Sequence, residues 1–304
     1  MTLKQLRYVV TVADTKNITE AANRLFISQP SLTAAIHELE REYGLVLFHR
    51  SKKGVTTTAE GEEFLSYARQ MLEQEDLINA RYTGAPTGKT KFCVSSQHYS
   101  FAVEAFVELL KTHGGEKYEF HMRETQTYEI IDDVAHLRSE VGILYRNPFN
   151  ESIIKKTLRD NQLSFETLFI AKPHVFVSKD SPLAKKKTLR PEDLVPYPRL
   201  SYEQGNHNSF YFSEEILSTL DADKELIVCD RATLFNMLVG LDGYTICSGI
   251  INETLNGPNI VARPLDVEDY MEIGYILPAS IRPSALTAAY IRMLQQITAG
   301  TPSN

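Results

Sequence analysis

The sequence has little cysteine, and its three cysteines form no recognisable pattern. Cys93, Cys229 and Cys247 are an odd number, and no two of them have the CxxC spacing of a redox or metal-binding motif. Each lies in an apolar or strand-like segment, which predicts buried free thiols. A redox-active pair is the alternative, but nothing in the sequence brings two of these thiols together.

Long apolar segments are also missing. No run approaches the roughly 18 residues that a helix needs to cross a bilayer. Met1 to Lys4 lead directly into an amphipathic helix rather than into the apolar core of a signal peptide. We therefore expect a folded protein that is located in the cytoplasm and has no membrane partner.

Motifs of catalysis are absent as well. The chain contains no Gly-x-Ser-x-Gly elbow, no His-x-x-x-His pair and no glycine-rich phosphate loop. Because these motifs are absent, we expect that the protein is not an enzyme and that it has no cofactor and no metal site. One alternative is a hydrolase in which His98 activates Ser95 or Ser96, although no acidic residue evidently orients His98.

The chain lacks an excess of basic charge. Its formal net charge is −7, which argues weakly against a nucleic-acid partner. The acidic excess is confined to residues 91–304, because residues 1–90 carry 11 basic and 11 acidic side chains. Within this neutral segment Arg50, Lys52 and Lys53 form a basic group of the kind that binds DNA phosphates by releasing counterions. A solvated turn is the alternative for the two lysines.

The most informative part of the chain is residues 21–50. Leu25 ends an apolar stripe, Ser28 has the hydroxyl of a helix N-cap, and Pro30 fits the first helical turn, where its missing N–H costs nothing. These residues predict a tight turn between two helices, the second of which begins near Ser28.

The second helix has two different faces. Leu32, Ile36 and Leu39 recur at intervals of four and three residues, so they lie on one buried face. Short polar side chains at the start of a helix are typical of helices that read base edges in the DNA major groove. The opposite face supplies such candidates, namely Gln29, Pro30, Ser31, Thr33 and His37. An ordinary surface helix pair is the alternative.

A short β-hairpin is predicted over residues 48–58, with its turn near Lys53. Arg50 lies at its entry and Thr56 at its exit, so both are candidates for DNA contact. We expect Arg50, with Lys52 or Lys53, to contact the minor groove or the phosphates.

The pattern of residues 3–62 resembles the N-terminal domain of the LysR-type transcriptional regulators. Departures are few, since the family more often has serine at Thr33, leucine at Tyr43 and an aliphatic residue at Thr57. The match is carried by Ala21, Ala22, Leu25, Ser28, Gln29, Pro30, Ile36, Leu39, Glu40, Gly44, Leu47, Phe48 and Arg50.

The resemblance implies a DNA-binding protein rather than an enzyme. Its fold class is α/β, with an N-terminal winged helix-turn-helix and a linker helix, then a two-lobed effector domain similar to periplasmic binding proteins. It also implies a homodimer or tetramer on double-stranded promoter DNA. An effector between the lobes would change the lobe or subunit arrangement, the bend of the DNA and the recruitment of RNA polymerase.

A proline-free segment from Thr58 to Tyr82 predicts a long helix. Its apolar positions alternate at intervals of four and three residues, which is typical of a coiled-coil seam. Such a helix suggests a dimer that spaces two recognition helices along a palindromic site. The alternative is packing against the core of its own domain. The predicted seam is Phe64, Ala68, Met71, Glu75, Ile78 and Tyr82.

A run of small residues with one proline, at 83–89, predicts a domain boundary, and beyond it strands alternate with helices as in an open α/β sheet. The predicted domains are the winged helix-turn-helix at 1–58, the linker helix and hinge at 59–90, and the effector domain at 91–304. Lobe I of the effector domain is expected at 91–161 and 268–304, and lobe II at 162–267. Lobe II would include a strand at 167–169 and a helix at 214–219.

Ligands of open α/β sheets bind at the carboxyl ends of the strands, where helix N-termini expose N–H groups. Loops rich in hydroxyl and amide groups lie at these ends in both predicted lobes. Two residues have plainer alternatives, because Ser96 can cap a helix and Arg231 can pair with Asp230 or another acid. The candidate ligand residues are Ser95, Ser96, Gln97, His98, Thr125, Gln126, Thr127, Tyr202, Gln204, Arg231, Thr233 and Ser248.

These groups favour a small anion or a zwitterion, such as an amino acid or an organic acid. The sequence thus predicts a LysR-type regulator whose DNA binding or bending responds to such an effector. A solute-binding protein without a DNA function and the hydrolase mentioned above are the alternatives.

Overall fold

The computed structural model describes residues 1–51, 54–83, 89–220, 222–252 and 256–299, with the backbone alone at 50, 51, 77 and 80–83. The chain divides into two compact units, Met1–Gly88 and Lys89–Asn304.

The described part of the first unit contains four helices and a β-hairpin. Asn17 caps the second helix by accepting the N–H groups of Thr19 and Glu20, and Ser28 caps the third. Gly44 ends the third helix at φ 66°, a left-handed conformation that glycine adopts without strain. The elements are α1 (Leu3–Thr15), α2 (Ile18–Arg24), α3 (Gln29–Tyr43), β1 (Phe48–Ser51), β2 (Gly54–Thr57) and α4 (Ala59–Thr83).

The predicted buried face of α3 is confirmed. Leu32, Ile36 and Leu39 are each at most 1% exposed, and they share one core with Val9 and Val12 of α1. This packing fixes the rotation of α3 about its axis and turns its opposite face towards solvent.

One part of the predicted seam on α4 packs within its own unit. Ala68 and Leu72 are buried against Leu6 of α1, and Phe64 packs against the same cluster. The alternative interpretation, in which this helix packs against the core of its own domain, therefore applies to the first half of α4.

The other part of the seam is exposed. Met71 is 43% and Ile78 is 59% exposed, on the same side of the helix. Glu75 is held within the unit, because its carboxylate accepts from Arg7 Nη2 at 2.9 Å. The side chain of Tyr82 lies outside the described residues.

The described part of the second unit contains two five-stranded sheets. In the sheet of lobe I the strand order is β4-β3-β5-β12-β6, and in the sheet of lobe II it is β11-β7-β10-β8-β9. The elements are β3 (Thr90–Ser96), α5 (Ser100–His113), β4 (Tyr118–Glu124), α6 (Thr127–Ala135), β5 (Val141–Arg146), α7 (Glu151–Asp160), β6 (Leu163–Ala171), β7 (His174–Ser178), α8 (Pro191–Leu194), β8 (Arg199–Tyr202), β9 (Glu225–Val228), α9 (Arg231–Gly240), β10 (Tyr244–Cys247), β11 (Ile260–Pro264), β12 (Met271–Pro278) and α10 (Ala285–Thr298).

The direction of the strands places the loops. In lobe I β3 is parallel to β4 and β5, and in lobe II β8 is parallel to β9 and β10. The carboxyl ends of each parallel set therefore meet at one edge of their sheet. The chain passes between the sheets at residues 172–173 and 265–270, and these crossings are joined by the Leu265 N–H, which donates to Pro173 O at 2.9 Å.

The predicted start of lobe II at residue 162 is wrong. The strand predicted at 167–169 is part of β6, which pairs antiparallel with β12 along its whole length in the sheet of lobe I. Periodicity predicted a strand here, but it could not assign the strand to a sheet, because that choice depends on a partner that lies far away in the sequence.

The predicted helix at 214–219 is also wrong. This segment forms bends and a turn, and Leu217 has φ 58°, which is incompatible with an α-helix. The carboxylates of Glu214 and Glu215 are instead held by backbone N–H groups of other segments.

All three cysteines are free, but they are not all buried as predicted. Cys93 and Cys247 are half-buried, whereas Cys229 is exposed just after the end of β9. None of the described helices combines the length and the apolarity needed to traverse a bilayer. Within the described ranges, no cluster of three or more His, Cys, Asp or Glu side chains is arranged to hold a metal ion.

Candidate functional site

The outer face of α3 carries the predicted polar residues. Ser31 shares a hydrogen bond of 2.7 Å with the hydroxyl of the N-cap, Ser28, and His37 Nδ1 lies 3.1 Å from the carboxylate of Glu40. The second contact orients the imidazole without burying it. Gln29, Pro30, Ser31 and His37 are exposed, and Thr33 is half-buried.

Two more residues of this face were missed. Ala34 and Arg41 are exposed and lie three and four residues from His37, so they share its side of the helix. The same periodicity that identified the buried face would have found them. The outer face of α3 is therefore a continuous surface with a basic residue near its end.

The wing is formed as predicted, but only part of it is described. β1 and β2 pair antiparallel, with His49 opposite Thr56. Both residues are exposed, and His49 is a further candidate for DNA contact that was missed. The side chain of Arg50 and the whole of Lys52 and Lys53 lie outside the described residues.

A cleft lies where the two lobes of the second unit meet. Its cavity has a volume of about 40 Å³, which is enough for a few water molecules. Four predicted ligand residues, His98, Tyr202, Arg231 and Ser248, line it. The other lining residues are Tyr99, Ser100, Phe176, Glu214, Glu215, Phe235, Thr245, Ile246, Cys247, Ile250 and Met271.

His98 of lobe I is bound to lobe II from two sides. Its Nδ1 atom and its backbone N–H lie 3.0 Å from the carboxylate of Glu214, and its ring stacks on Tyr202 at 3.8 Å between centroids. Burial by itself lowers the pKa of His98, but the charge and the hydrogen bond of Glu214 outweigh it, so that the pKa is raised. The raised pKa favours the protonated imidazole, which pairs with the Glu214 carboxylate across the cleft.

A second ion pair crosses the cleft. Arg231 Nη2 lies 3.1 Å from the carboxylate of Glu124, and this acid of lobe I is the partner of Arg231. Asp230 instead caps α9, because it accepts from the backbone N–H of Thr233 at 2.8 Å and from its hydroxyl at 2.6 Å. Thr233 is thus engaged in the helix cap and does not line the cavity.

Three predicted ligand residues lie behind the cleft. Ser95 is fully buried, and its hydroxyl donates to Asp133 at 2.6 Å. Ser96 donates to the carbonyl of Gln97, whose amide in turn donates to Thr127 at 2.6 Å. Neither serine hydroxyl bonds to His98, so the serine–histidine arrangement that a hydrolase needs is not formed. These side chains support the loop instead of facing a ligand.

Among the remaining predicted residues, Gln126, Thr127 and Gln204 connect the two lobes. The N–H of Thr127 donates to Gln204 Oε1 at 3.1 Å, and Gln126 lies 3.5 Å from the carboxylate of Glu203. Thr125 contributes its backbone N–H to Ser96 O within lobe I. These contacts keep the lobes together beside the cavity but do not line it.

The acidic residues of the cleft were missed because they were assigned to a helix. Glu215 is 3% exposed, and its carboxyl accepts the N–H of Tyr202 at 3.0 Å. Burial, followed by the charge of Glu214, raises the pKa of Glu215 to about 8. The charge of Arg199 opposes this shift without cancelling it. Two adjacent acids after the aromatic run Phe210–Phe212 were the available signal.

Comparison with known proteins identifies the family from both units. Residues 3–62 match the model of the bacterial regulatory helix-turn-helix proteins of the lysR family, and residues 93–299 match the LysR substrate binding domain. The chain belongs to the LysR family.

Similar LysR-family proteins are transcriptional regulators. ClcR of Pseudomonas putida is 44% identical over 89 residues, which cover 29% of this chain and 30% of ClcR. CysB of Haemophilus influenzae is 28% identical over 213 residues, which cover 67% of this chain and 62% of CysB. The matched part thus spans less than two thirds of the length of either relative.

A solved structure supports the LysR fold of the whole chain. Full-length CbnR, a LysR family transcriptional regulator solved in complex with its target DNA, superposes with a TM-score of 0.61. The two chains are 19% identical, and the match covers 98% of this chain and 100% of CbnR. At this identity the likeness establishes the fold.

The raised pKa of Glu215 predicts a dependence of stability on pH. Between its usual pKa near 4.5 and its folded value of about 8, the folded protein binds one more proton than the unfolded chain. Stability therefore falls as pH rises through this window, by about 1.4 kcal/mol per pH unit. We expect Glu215→Gln, which can still accept the Tyr202 N–H, to make the melting temperature of the effector domain less dependent on pH between about 5 and 8.

The matched control is Glu203→Gln, since Glu203 is an exposed acid at the edge of the same cleft. It should melt with the pH dependence of the original chain. Equal pH dependence of the Glu215→Gln variant and the original chain would contradict the assignment.

Proposed function

We propose that this chain is a DNA-binding transcriptional regulator, whose DNA binding or bending is controlled by a small effector bound between the lobes of the second unit. The observation that carries the proposal is the outer face of α3. It exposes polar side chains at a helix N-terminus, while its inner face is locked in the core.

The DNA contacts are proposed residue by residue. Gln29, Ser31 and His37 would read base edges in the major groove, with Pro30 and Thr33 beside them. On the wing, Thr56, Arg50, Lys52 and Lys53 would contact phosphates or the minor groove. CbnR, which shares the fold, was solved with its target DNA and supports this use of the first unit.

We propose a homodimer that is joined through α4, with a dimer of dimers as the larger assembly. Met71 and Ile78 are exposed apolar side chains on one side of α4, whereas Leu65 and Leu72 on another side are already buried in their own unit. A second copy on the exposed side would place two α3 helices on one palindromic site.

The effector would act on the contacts that close the cleft. The ion pairs of His98 with Glu214 and of Arg231 with Glu124 both join lobe I to lobe II. A ligand that binds these groups favours one lobe arrangement over another, and only such a difference in affinity can shift the equilibrium. The shift would then alter recruitment of RNA polymerase in the cytoplasm.

The deciding experiment is a gel-shift titration of the full chain on duplex DNA from the region upstream of its own gene. We expect specific binding that is at least roughly 1,000-fold tighter than binding to random duplex and that weakens as salt rises. Equal affinity for both duplexes would overturn the proposal. Ligand binding by a chain with no affinity for any duplex would favour the solute-binding alternative.

A further inference from the structure

The charged groups of the cleft are largely arranged in pairs. Glu124 neutralises Arg231, and Glu214 neutralises His98, whose pKa is raised. Both pairs bridge the lobes, and their members His98, Glu214 and Arg231 line the cavity, so a ligand in the cleft meets their unused hydrogen-bonding groups.

Two of these unused groups are cationic donors. His98 has a side chain that is 4% exposed, and its Nε2 atom has no hydrogen-bond partner among the described residues. Arg231 Nη1 is likewise buried without a partner in the described part of the chain. An imidazolium and a guanidinium that line one cavity can bind the two oxygens of a carboxylate.

Glu215, in contrast, is a site for a cation. Its carboxyl is buried and lines the cavity. The adjacent Glu214 repels the charged form of Glu215, and the cation that Glu214 contacts, His98, is paired with Glu214. In the described part of the chain, no basic side chain forms an ion pair with Glu215 within 4.0 Å. Without a counter-charge the buried carboxyl of Glu215 keeps its proton, because its pKa is raised. A cationic ligand group beside Glu215 would supply that counter-charge, favour loss of the proton and form an ion pair with the carboxylate.

The walls of the cavity suit a small cation with a short apolar side chain. Tyr99, Tyr202, Phe176 and Phe235 place aromatic rings around the cavity, and such rings attract ammonium groups. Ile246 and Met271 add apolar surface. Apart from His98 and Arg231, none of the described residues that line the cavity carries a basic side chain for a second carboxylate.

We propose that the effector is a small amino acid or a closely similar zwitterion, with its ammonium group beside Glu215 and its carboxylate on His98 and Arg231. This inference depends on the proposed function only in calling the ligand an effector. It excludes simple carboxylic acids and simple amines, because each of them satisfies only one of the two sets of groups.

The test compares matched ligands on the full chain by calorimetry and thermal shift. The panel contains the common amino acids, and for alanine and valine also the acids without the amino group, propionate and 3-methylbutanoate, and the amines without the carboxylate, ethylamine and isobutylamine. We expect at least one amino acid to bind with a Kd below roughly 1 mM, and alanine or valine to bind at least roughly tenfold more tightly than both of its analogues.

Variants of Glu215 test whether this residue binds the ammonium group of the ligand. Glu215→Gln should weaken amino-acid binding at least roughly tenfold, whereas Glu215→Asp, which keeps the charge, and Glu203→Gln at the cleft edge should retain most of it. The melting temperature of each variant without ligand reports whether it has folded.

Three results would overturn the inference. The first is that propionate or 3-methylbutanoate binds more tightly than the parent amino acid. The second is that no amino acid binds at roughly 10 mM, and the third is that Glu215→Gln binds amino acids as tightly as the original chain does. Gel shifts on the same preparations separate this inference from the proposed function. Specific DNA binding without amino-acid binding would overturn this inference but not the proposed regulator function. Amino-acid binding without DNA binding would overturn the regulator function but not the assignment of the ligand.

Discussion

Replacing both Gln29 and His37 with alanine is expected to lower the affinity for the specific duplex by about 100-fold, because each contact with a base edge contributes about 1–3 kcal/mol. Both side chains are exposed on the outer face of α3, so their loss leaves the core of Leu32, Ile36 and Leu39 unchanged. Affinity for random duplex depends mainly on phosphate contacts and should change much less. A gel-shift titration of the variant on specific and random duplexes measures both quantities.

The control replaces the same residue types at exposed positions of the effector domain, His113→Ala with Gln295→Ala. It should bind both duplexes as the original chain does. An equal loss on specific and random DNA in the α3 variant would show that these side chains do not read the sequence.

Introducing aspartate at both Met71 and Ile78 is expected to give monomers and to weaken specific DNA binding by more than roughly 100-fold. The two side chains are exposed on one side of α4, and burying two carboxylates in a dimer seam is strongly unfavourable. A monomer also loses the second half-site, which otherwise raises the local concentration of α3 on the DNA. Light scattering coupled to gel filtration gives the mass, and a gel shift gives the affinity.

Ile281→Asp is the matched control, because Ile281 is 48% exposed on the effector domain and lies outside α4. This variant should keep the mass and the affinity of the original chain. If the α4 variant keeps its mass, the subunits of the assembly are joined elsewhere.

The two units differed in how far their residues could be predicted. In the first unit, Ser28, Leu32 and Ile36 indicated where α3 begins and which face it buries, and the folded chain places them accordingly. These features arise from contacts within one helix and its cap, so their spacing in the chain is sufficient. The division of α4 into a buried and an exposed side was not apparent, because it depends on contacts with α1.

The cleft could be predicted only in outline. The loops that follow β3 and β8 were correctly placed at the meeting of the lobes, since parallel strands direct their carboxyl ends to one edge. Ser95 and Gln97, in contrast, have the right chemistry for a ligand but turn into the protein. A side chain at a strand end can point to either side, and local sequence does not determine which.

Local periodicity was therefore enough for the helix-turn-helix and for the outer face that it presents, because a helix repeats every few residues and one buried stripe sets its orientation. The effector cleft depended on the folded chain. Its ion pairs join His98 to Glu214 and Glu124 to Arg231, across more than a hundred residues in each case. Such pairs form only after two lobes have closed on each other, and no spacing within either segment encodes the partner.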